Sequence, residues 1–197
     1  MIILGLTGSI GMGKTTTAAM FKDEGCPVFD ADAAVHSLYA KGGRAVALIR
    51  AVFPDAITDG AINRARLGEH MRADPLNLTV LESFIHPMVA DLRAEFFKTA
   101  AEQDADIVIM DVPLLFETGG DTYVTKTVVV TCDPKIQKQR VMARAGMNAE
   151  LFKTLLGRQL PDSEKRKRAD ILIYTDVSLE NTREQVQAVL KDLRAKP

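Results

Sequence analysis

The 197 residues read as an α/β protein: a doubly wound parallel sheet of about five strands, with helices between them. Three observations carry this reading. Five short apolar runs, at residues 2–6, 27–29, 107–110, 127–130 and 171–174, have the continuous hydrophobicity of strands buried on both faces. Segments of helical period lie between them, and strands alternating with helices imply parallel pairing. The interval 30–106 is too long for a simple crossover and is mostly helical in pattern, so it reads as a helical insertion.

Composition bounds the class. Hydrophobic residues make up 47% and charged residues 26%, which excludes a wholly disordered chain. With 25 Lys+Arg against 26 Asp+Glu the net charge is -1, which argues against a general nucleic-acid binder. No apolar run approaches the ~18 residues that span a bilayer. The first residues lack the basic stretch and long apolar core of a secretory signal. Cys26 and Cys132 form neither a disulfide framework nor a CxxC pair, and they read as reduced thiols of a cytoplasmic protein. His36, His70 and His86 are scattered, without zinc-site spacing.

Each element has a local reason. The run 2–6 leads into Gly8-Ser9-Ile10-Gly11-Met12-Gly13-Lys14-Thr15, which fits G-x-x-x-x-G-K-[ST] at every fixed position. Residues 16–24 then read as a helix ending at Gly25. Glycines allow the positive φ that turns successive N–H groups inward as an anion nest, and the helix N-terminus adds partial positive charge. Lys14 is placed to reach the β- and γ-phosphates, and the Thr15 hydroxyl to bind Mg²⁺.

Val28-Phe29-Asp30-Ala31-Asp32 ends a strand on two carboxylates. Either acid could take or orient a substrate hydroxyl proton at a strand's carboxyl end, or both could cap the next helix. Asp74-Pro75 starts a helix, with Leu78, Leu81, Ile85, Val89, Leu92 and Phe96 at helical spacing and Pro87 expected to kink or break it. The run 107–110 ends in Asp111, which either supports the metal or nucleophile or simply caps a turn. Val186, Val189, Leu190 and Leu193 form one face of a last helix.

The segment 135–168 is helical in pattern and holds ten basic against three acidic residues, a net of +7. Arg140 and Arg144 are four apart, which predicts a shared helix face able to close over a triphosphate. A solvated basic helix is the plainer reading. Nucleic-acid binding is a third, with only Phe152 to offer a stacking surface.

Together these residues resemble the dephospho-CoA kinase family over nearly the whole chain. The loop Thr7-Gly8-Ser9-Ile10-Gly11-Met12-Gly13-Lys14-Thr15, the triplet Asp30-Ala31-Asp32 with His36, and Gly60-Ala61-Ile62-Asn63-Arg64 with Leu67 match its motifs. So do His86-Pro87, the highly specific Asp111-Val112-Pro113-Leu114-Leu115-Phe116-Glu117, Gln139-Arg140 with Arg144, and Gln159, Lys165 and Ala169-Asp170. The family's Asn and Gly after the last strand are missing from Ile173-Tyr174-Thr175-Asp176-Val177, the loop expected against adenine.

The resemblance implies a P-loop NTPase-type core at 1–32, 104–134 and 169–197, a helical CoA-binding insertion at 33–103 and a lid at 135–168. It implies that ATP phosphorylates the 3′-hydroxyl of the dephospho-CoA ribose, the last step of coenzyme A synthesis. Asp32 would be the base or orienter, with Lys14 and Arg140 stabilising the transferring group. Gly11, Met12, Gly13, Lys14, Thr15, Thr16 and Arg144 would hold ATP, with Mg²⁺ on Thr15. Asp32, Arg64, His86, Asp111, Leu115 and Glu117 would serve the acceptor. The implied partners are small molecules rather than nucleic acid or membrane, with the chain a monomer or weak oligomer. Another small-molecule kinase is the nearest alternative. A guanine-nucleotide switch would want an N-K-x-D motif, which does not occur in the chain.

Overall fold

The computed structural model describes residues 1–195. Residues 196–197, the end of the third core segment expected from sequence, lie outside the described residues. Strand β1 (Ile2–Thr7) runs through the glycine-rich loop into α1 (Lys14–Asp23). Strand β2 (Val28–Asp30) ends on Asp30, whose carboxylate accepts the Ala33 N–H at 2.9 Å and caps α2 (Ala31–Tyr39). Next come α3 (Val46–Val52), β3 (Ile57–Thr58), β4 (Ala61–Ile62), α4 (Arg64–Ala73) and α5 (Leu76–Glu102). The chain continues with β5 (Ile107–Asp111), β6 (Lys126–Thr131), α6 (Pro134–Met142), α7 (Ala149–Gly157), α8 (Asp162–Arg168), β7 (Ile171–Tyr174) and α9 (Leu179–Ala195).

The main sheet has the order β2-β5-β1-β6-β7, and the β1–β5, β1–β6 and β6–β7 pairs are parallel. Leu6 lies opposite Asp111 on one side and Val128 on the other. The strand feeding the glycine-rich loop is therefore central, and its carboxyl end lies beside that of β5. Open α/β sheets bind ligands at such an end.

The chain divides into two compact units, Asp30–Thr99 and the remainder. In the larger unit Leu4, Leu6, Ile109, Val128 and Val130 pack with Phe21 of α1 and with Val186 and Leu190 of α9. In the smaller unit Leu38, Ile49, Phe53, Ile62, Leu67, Leu81 and Ile85 form a second core. Among the described residues no helix is long and apolar enough to cross a membrane.

Three local readings are corrected. Helix α5 runs unbroken through Pro87 for 27 residues. A mid-helix proline costs about 3 kcal/mol, and the contacts of Leu81, Phe84, Ile85, Met88, Val89 and Leu92 with the core of the smaller unit offset it. Second, a two-stranded antiparallel hairpin pairs Ile57 with Ile62 and Thr58 with Ala61. Its turn is Asp59-Gly60 with φ 52° and 81°, the positive pair that a tight hairpin requires. Third, α6 stops at Met142, and Arg144 sits in the following turn, where its N–H bonds Val141 O at 3.1 Å. Arg140 and Arg144 therefore share no helix face.

Candidate active site

The residues after β1 form a loop whose shape follows from glycine. Gly11 and Gly13 take φ of 81° and 93°, a region costly for any residue with a Cβ. Gly13 is the N-cap of α1 and offers no side chain, so no side-chain group caps the first turn. That leaves first-turn N–H groups and the positive end of a ten-residue helix for an anion. Met12 is 1% exposed and packs its thioether 3.3 Å from the Cys132 thiol. Burial pushes that thiol's pKa up, opposed by Arg140. Thr15 and Thr16 are exposed in the first turn of α1.

The loop is braced from outside by two glutamines for which the sequence reading had no role. Gln159 Oε1 accepts the Ile10 N–H at 3.0 Å, and Gln137 Nε2 donates to Ile10 O at 2.8 Å. Both groups of one peptide unit's flanking residue are thus held by side chains distant in sequence.

Lys14 donates to Asp111 Oδ1 at 2.5 Å, and Asp111 is 4% exposed at the end of β5. The start of α1 and the end of β5 thus bring a cation and a carboxylate together beside the glycine-rich loop. Thr7 Oγ1 donates to Pro113 O at 3.0 Å, tying the end of β1 to the segment after β5. In that segment Leu115 is 1% exposed and packs on Gly5 of β1.

Glu117 meets Lys165 at 2.9 Å, and Lys165 is fully buried. Glu117 Oε1 also accepts the Leu160 N–H at 2.8 Å, and Lys165 Nζ donates to Pro113 O at 3.2 Å. Oε2 of Glu117 is buried with no hydrogen-bond partner among the described residues. Burial disfavours the Glu117 charge. The hydrogen bonds from Lys165 and the Leu160 N–H outweigh it and hold the carboxyl below its ordinary pKa. Gln159 and Lys165, which the sequence matches to a family motif without assigning a role, are given one by these contacts. Asp170 is likewise structural: its Oδ2 accepts from Thr127 N at 2.7 Å and Thr127 Oγ1 at 2.8 Å.

Arg140 is exposed on α6 and donates through Nη1 to Thr175 Oγ1 at 2.9 Å and through Nη2 to Thr175 O at 2.6 Å. Arg144 is exposed in its turn.

In the smaller unit Asp30 is a cap, whereas Asp32 is exposed in the first turn of α2. Asp32, Val35, His36, Tyr39 and Arg64 line an open cavity of about 630 Å³. Arg64 Nη2 is 3.2 Å from His36 Nδ1, and its guanidinium lies 5.6 Å from the Tyr39 ring centroid. Burial raises the Tyr39 pKa, with Arg64 opposing it. His86 is exposed on α5.

Known proteins match this architecture. The family model described as CoaE, dephospho-CoA kinase, matches residues 2–181. The dephospho-CoA kinase of Rhizobium meliloti (strain 1021) is 50% identical over 195 residues, 99% of this chain and 100% of that protein. That of Agrobacterium fabrum is 47% identical over 99% of this chain and 100% of that protein. Among solved structures, TT1252 from Thermus thermophilus has a TM-score of 0.83 at 35% identity, covering 98% of this chain and 97% of that one. The dephospho-CoA kinase from Campylobacter jejuni has a TM-score of 0.71 at 23% identity, covering 97% of this chain and 96% of that one, a likeness of fold. The nucleotide-loop geometry, the parallel sheet and these matches agree: the chain belongs to the dephospho-CoA kinase family, kinases of the final step of coenzyme A biosynthesis.

Proposed function

We propose that the chain transfers the γ-phosphoryl group of ATP to the 3′-hydroxyl of the dephospho-CoA ribose, with the following division of work. Gly11, Met12, Gly13, Lys14, Thr15 and Thr16 hold the ATP phosphates, and Arg144 assists them. Lys14 and Arg140 stabilise the charge of the transferring group. Asp32 orients the acceptor hydroxyl or takes its proton. Arg64, His86 and Asp111 serve the acceptor, while Leu115 and Glu117 hold the segment after β5 in shape for it. The observation that carries this reading is the pairing of Lys14, the first residue of α1, with Asp111 at the carboxyl end of β5, beside a helix start with no side-chain cap.

The nucleotide core at 1–32, 104–134 and 169–197 and the lid at 135–168 draw on the larger unit, Met1–Phe29 and from Ala100 onward, except that residues 30–32 belong to the smaller one. The CoA-binding insertion at 33–103 draws on the smaller unit, Asp30–Thr99, whose breaks fall three residues before 33 and four before 103. Thr15 suits the Mg²⁺ that accompanies ATP, since its hydroxyl is exposed and has no hydrogen bond among the described residues. Thr15 would hold the ion, which supplies charge neutralisation on the phosphates when bound. The buried thiols of Cys26 and Cys132 support a reducing, cytoplasmic setting. The partners are small molecules, without nucleic acid or membrane, and the chain acts as a monomer or weak oligomer.

The test is ADP formation from ATP with dephospho-CoA, compared with sugar acids, nucleosides and water as acceptors. Dephospho-CoA should dominate; ADP no greater than with water overturns the reading. Asp32→Asn should lower kcat by about 10² or more with little change in ATP binding, and near-normal turnover removes Asp32 from the mechanism.

A further inference from the structure

Thr175 follows β7 and is 7% exposed. Its N–H donates to Thr131 O, at the end of β6, at 2.9 Å. Its Oγ1 lies 2.7 Å from Met12 O in the phosphate loop and 3.5 Å from Thr131 O. The same oxygen accepts from Arg140 Nη1 at 2.9 Å, while Arg140 Nη2 donates to Thr175 O at 2.6 Å. Three separate parts of the chain therefore meet on one buried hydroxyl.

The direction of the hydrogen bonds is determined by chemistry. Arginine only donates, and a hydroxyl has one proton. The Thr175 proton must therefore go to an acceptor other than Arg140, and Met12 O at 2.7 Å is nearer than Thr131 O. The chain of donors runs from Arg140 through Thr175 to Met12 O. That carbonyl belongs to the same peptide as the Gly13 N–H, at the N-cap of α1. A hydrogen bond accepted by a peptide carbonyl polarises the peptide and strengthens its N–H as a donor. Thr175 also lies 3.0 to 3.2 Å from where a Cβ on Gly13 would sit, so the two residues are closely packed. The bonds to Thr175 engage Nη1 and Nη2 once each, and the guanidinium has further N–H donors for an anionic ligand.

We propose that Thr175 is a positioning residue for phosphoryl transfer: its hydroxyl holds the Arg140 guanidinium against the Met12–Gly13 peptide, so the cation and the phosphate nest are set as one body. The inference rests on the role assigned to Arg140 above. A flexible cation held in place before the transition state spends less of its freedom on reaching it. The loss of the tether therefore acts on turnover more than on acceptor binding.

The experiment compares Thr175→Val, which keeps the shape and removes the hydroxyl, with Thr175→Ser, which keeps the hydroxyl. Thr175→Val should lower kcat about tenfold with the KM for dephospho-CoA within about twofold, and Thr175→Ser should stay within about twofold of the parent. In an Arg140→Ala background, Thr175→Val should add no further loss. Full turnover in Thr175→Val beside an impaired Arg140→Ala overturns the proposal and leaves the Arg140 role standing. A full additional loss in the double variant also overturns it. An unimpaired Arg140→Ala overturns the Arg140 role and the proposal with it. Should Thr175→Val not fold, the parent protein decides: its Arg140 guanidinium protons should exchange with solvent more slowly than those of Arg144, and equally fast exchange overturns the proposal.

Discussion

Lys165 shows how a charge that reads as solvated can be a keystone. In sequence it is one of four consecutive basic residues, the natural surface of a basic helix. In the structure it is fully buried and divides its ammonium between Glu117 and the Pro113 carbonyl. Removing one partner of a buried pair strands the other, at about 3–5 kcal/mol. Lys165→Met should therefore lower the free energy of urea unfolding by that amount, and Lys165→Met with Glu117→Leu should recover part of it. A single variant as stable as the parent would show that the pair contributes nothing. Its neighbours are also committed: Arg166 to Asp162 at 3.0 Å, Lys167 to Glu164 at 2.8 Å, and Arg168 over the Phe116 ring at 6.0 Å. At this scale the glycine-rich loop was legible, because Gly8, Gly11, Gly13, Lys14 and Thr15 form one contiguous signature. The roles of Gln137, Gln159 and Thr175 were not, although Gln159 matches a family motif, because each works on a residue more than a hundred positions away.

Helices and strands followed their local patterns closely; α5 passes Pro87 through its core contacts, whereas the departures at the hairpin and α6 have local causes. The Asp59-Gly60 turn was legible in principle, since Asp-Gly between apolar residues is a strong hairpin signal. The flanking strands of two residues each are too short to show alternation. Helix α9 is the clearest success: Val186, Leu190 and Leu193 recur on one face, and all three are buried against the sheet core. Leu190 is 2% exposed, so Leu190→Ala should cost about 2–5 kcal/mol, read as a lower urea midpoint at unchanged slope. A loss below about 0.5 kcal/mol would mean that the helix face is not part of the core. The early end of α6 could not be read from the Arg140–Arg144 spacing. Spacing predicts a shared face only while the helix continues, and Gly146 at φ 75° belongs to the turn that follows it.

Charge across the whole molecule is distributed unevenly. The net of +7 in 135–168 leaves -8 for the rest of the chain. The structure shows that part of this basic excess serves the fold, through Lys165 and its neighbours, before any ligand is considered. Several carboxylates also titrate below their ordinary values. The Arg194 hydrogen bond lowers Asp106, the Thr127 backbone N–H lowers Asp170, and Glu117 is lowered against its burial by Lys165 and Leu160. A depressed folded-state pKa adds stability that is present above the unfolded value and is lost as pH falls through the folded one. The thermal midpoint should therefore be nearly flat from about pH 7 to about pH 5 and fall progressively below about pH 4.5. A midpoint that holds at pH 3 would show that these carboxylates do not support the fold.

The sequence by itself determined the alternation of strands and helices, the phosphate loop and the family motifs. All of these rest on neighbours in the chain: period, turn chemistry, caps and a contiguous signature. Only the tertiary structure decided that Lys14 pairs with Asp111, that Lys165 is buried on Glu117, and that Thr175 joins Arg140 to Met12. The reason is physical. Local patterns are set by forces that act within a turn or a strand, whereas these pairings depend on which segments the sheet order brings side by side, and on the low-dielectric interior that makes a buried charge require its partner.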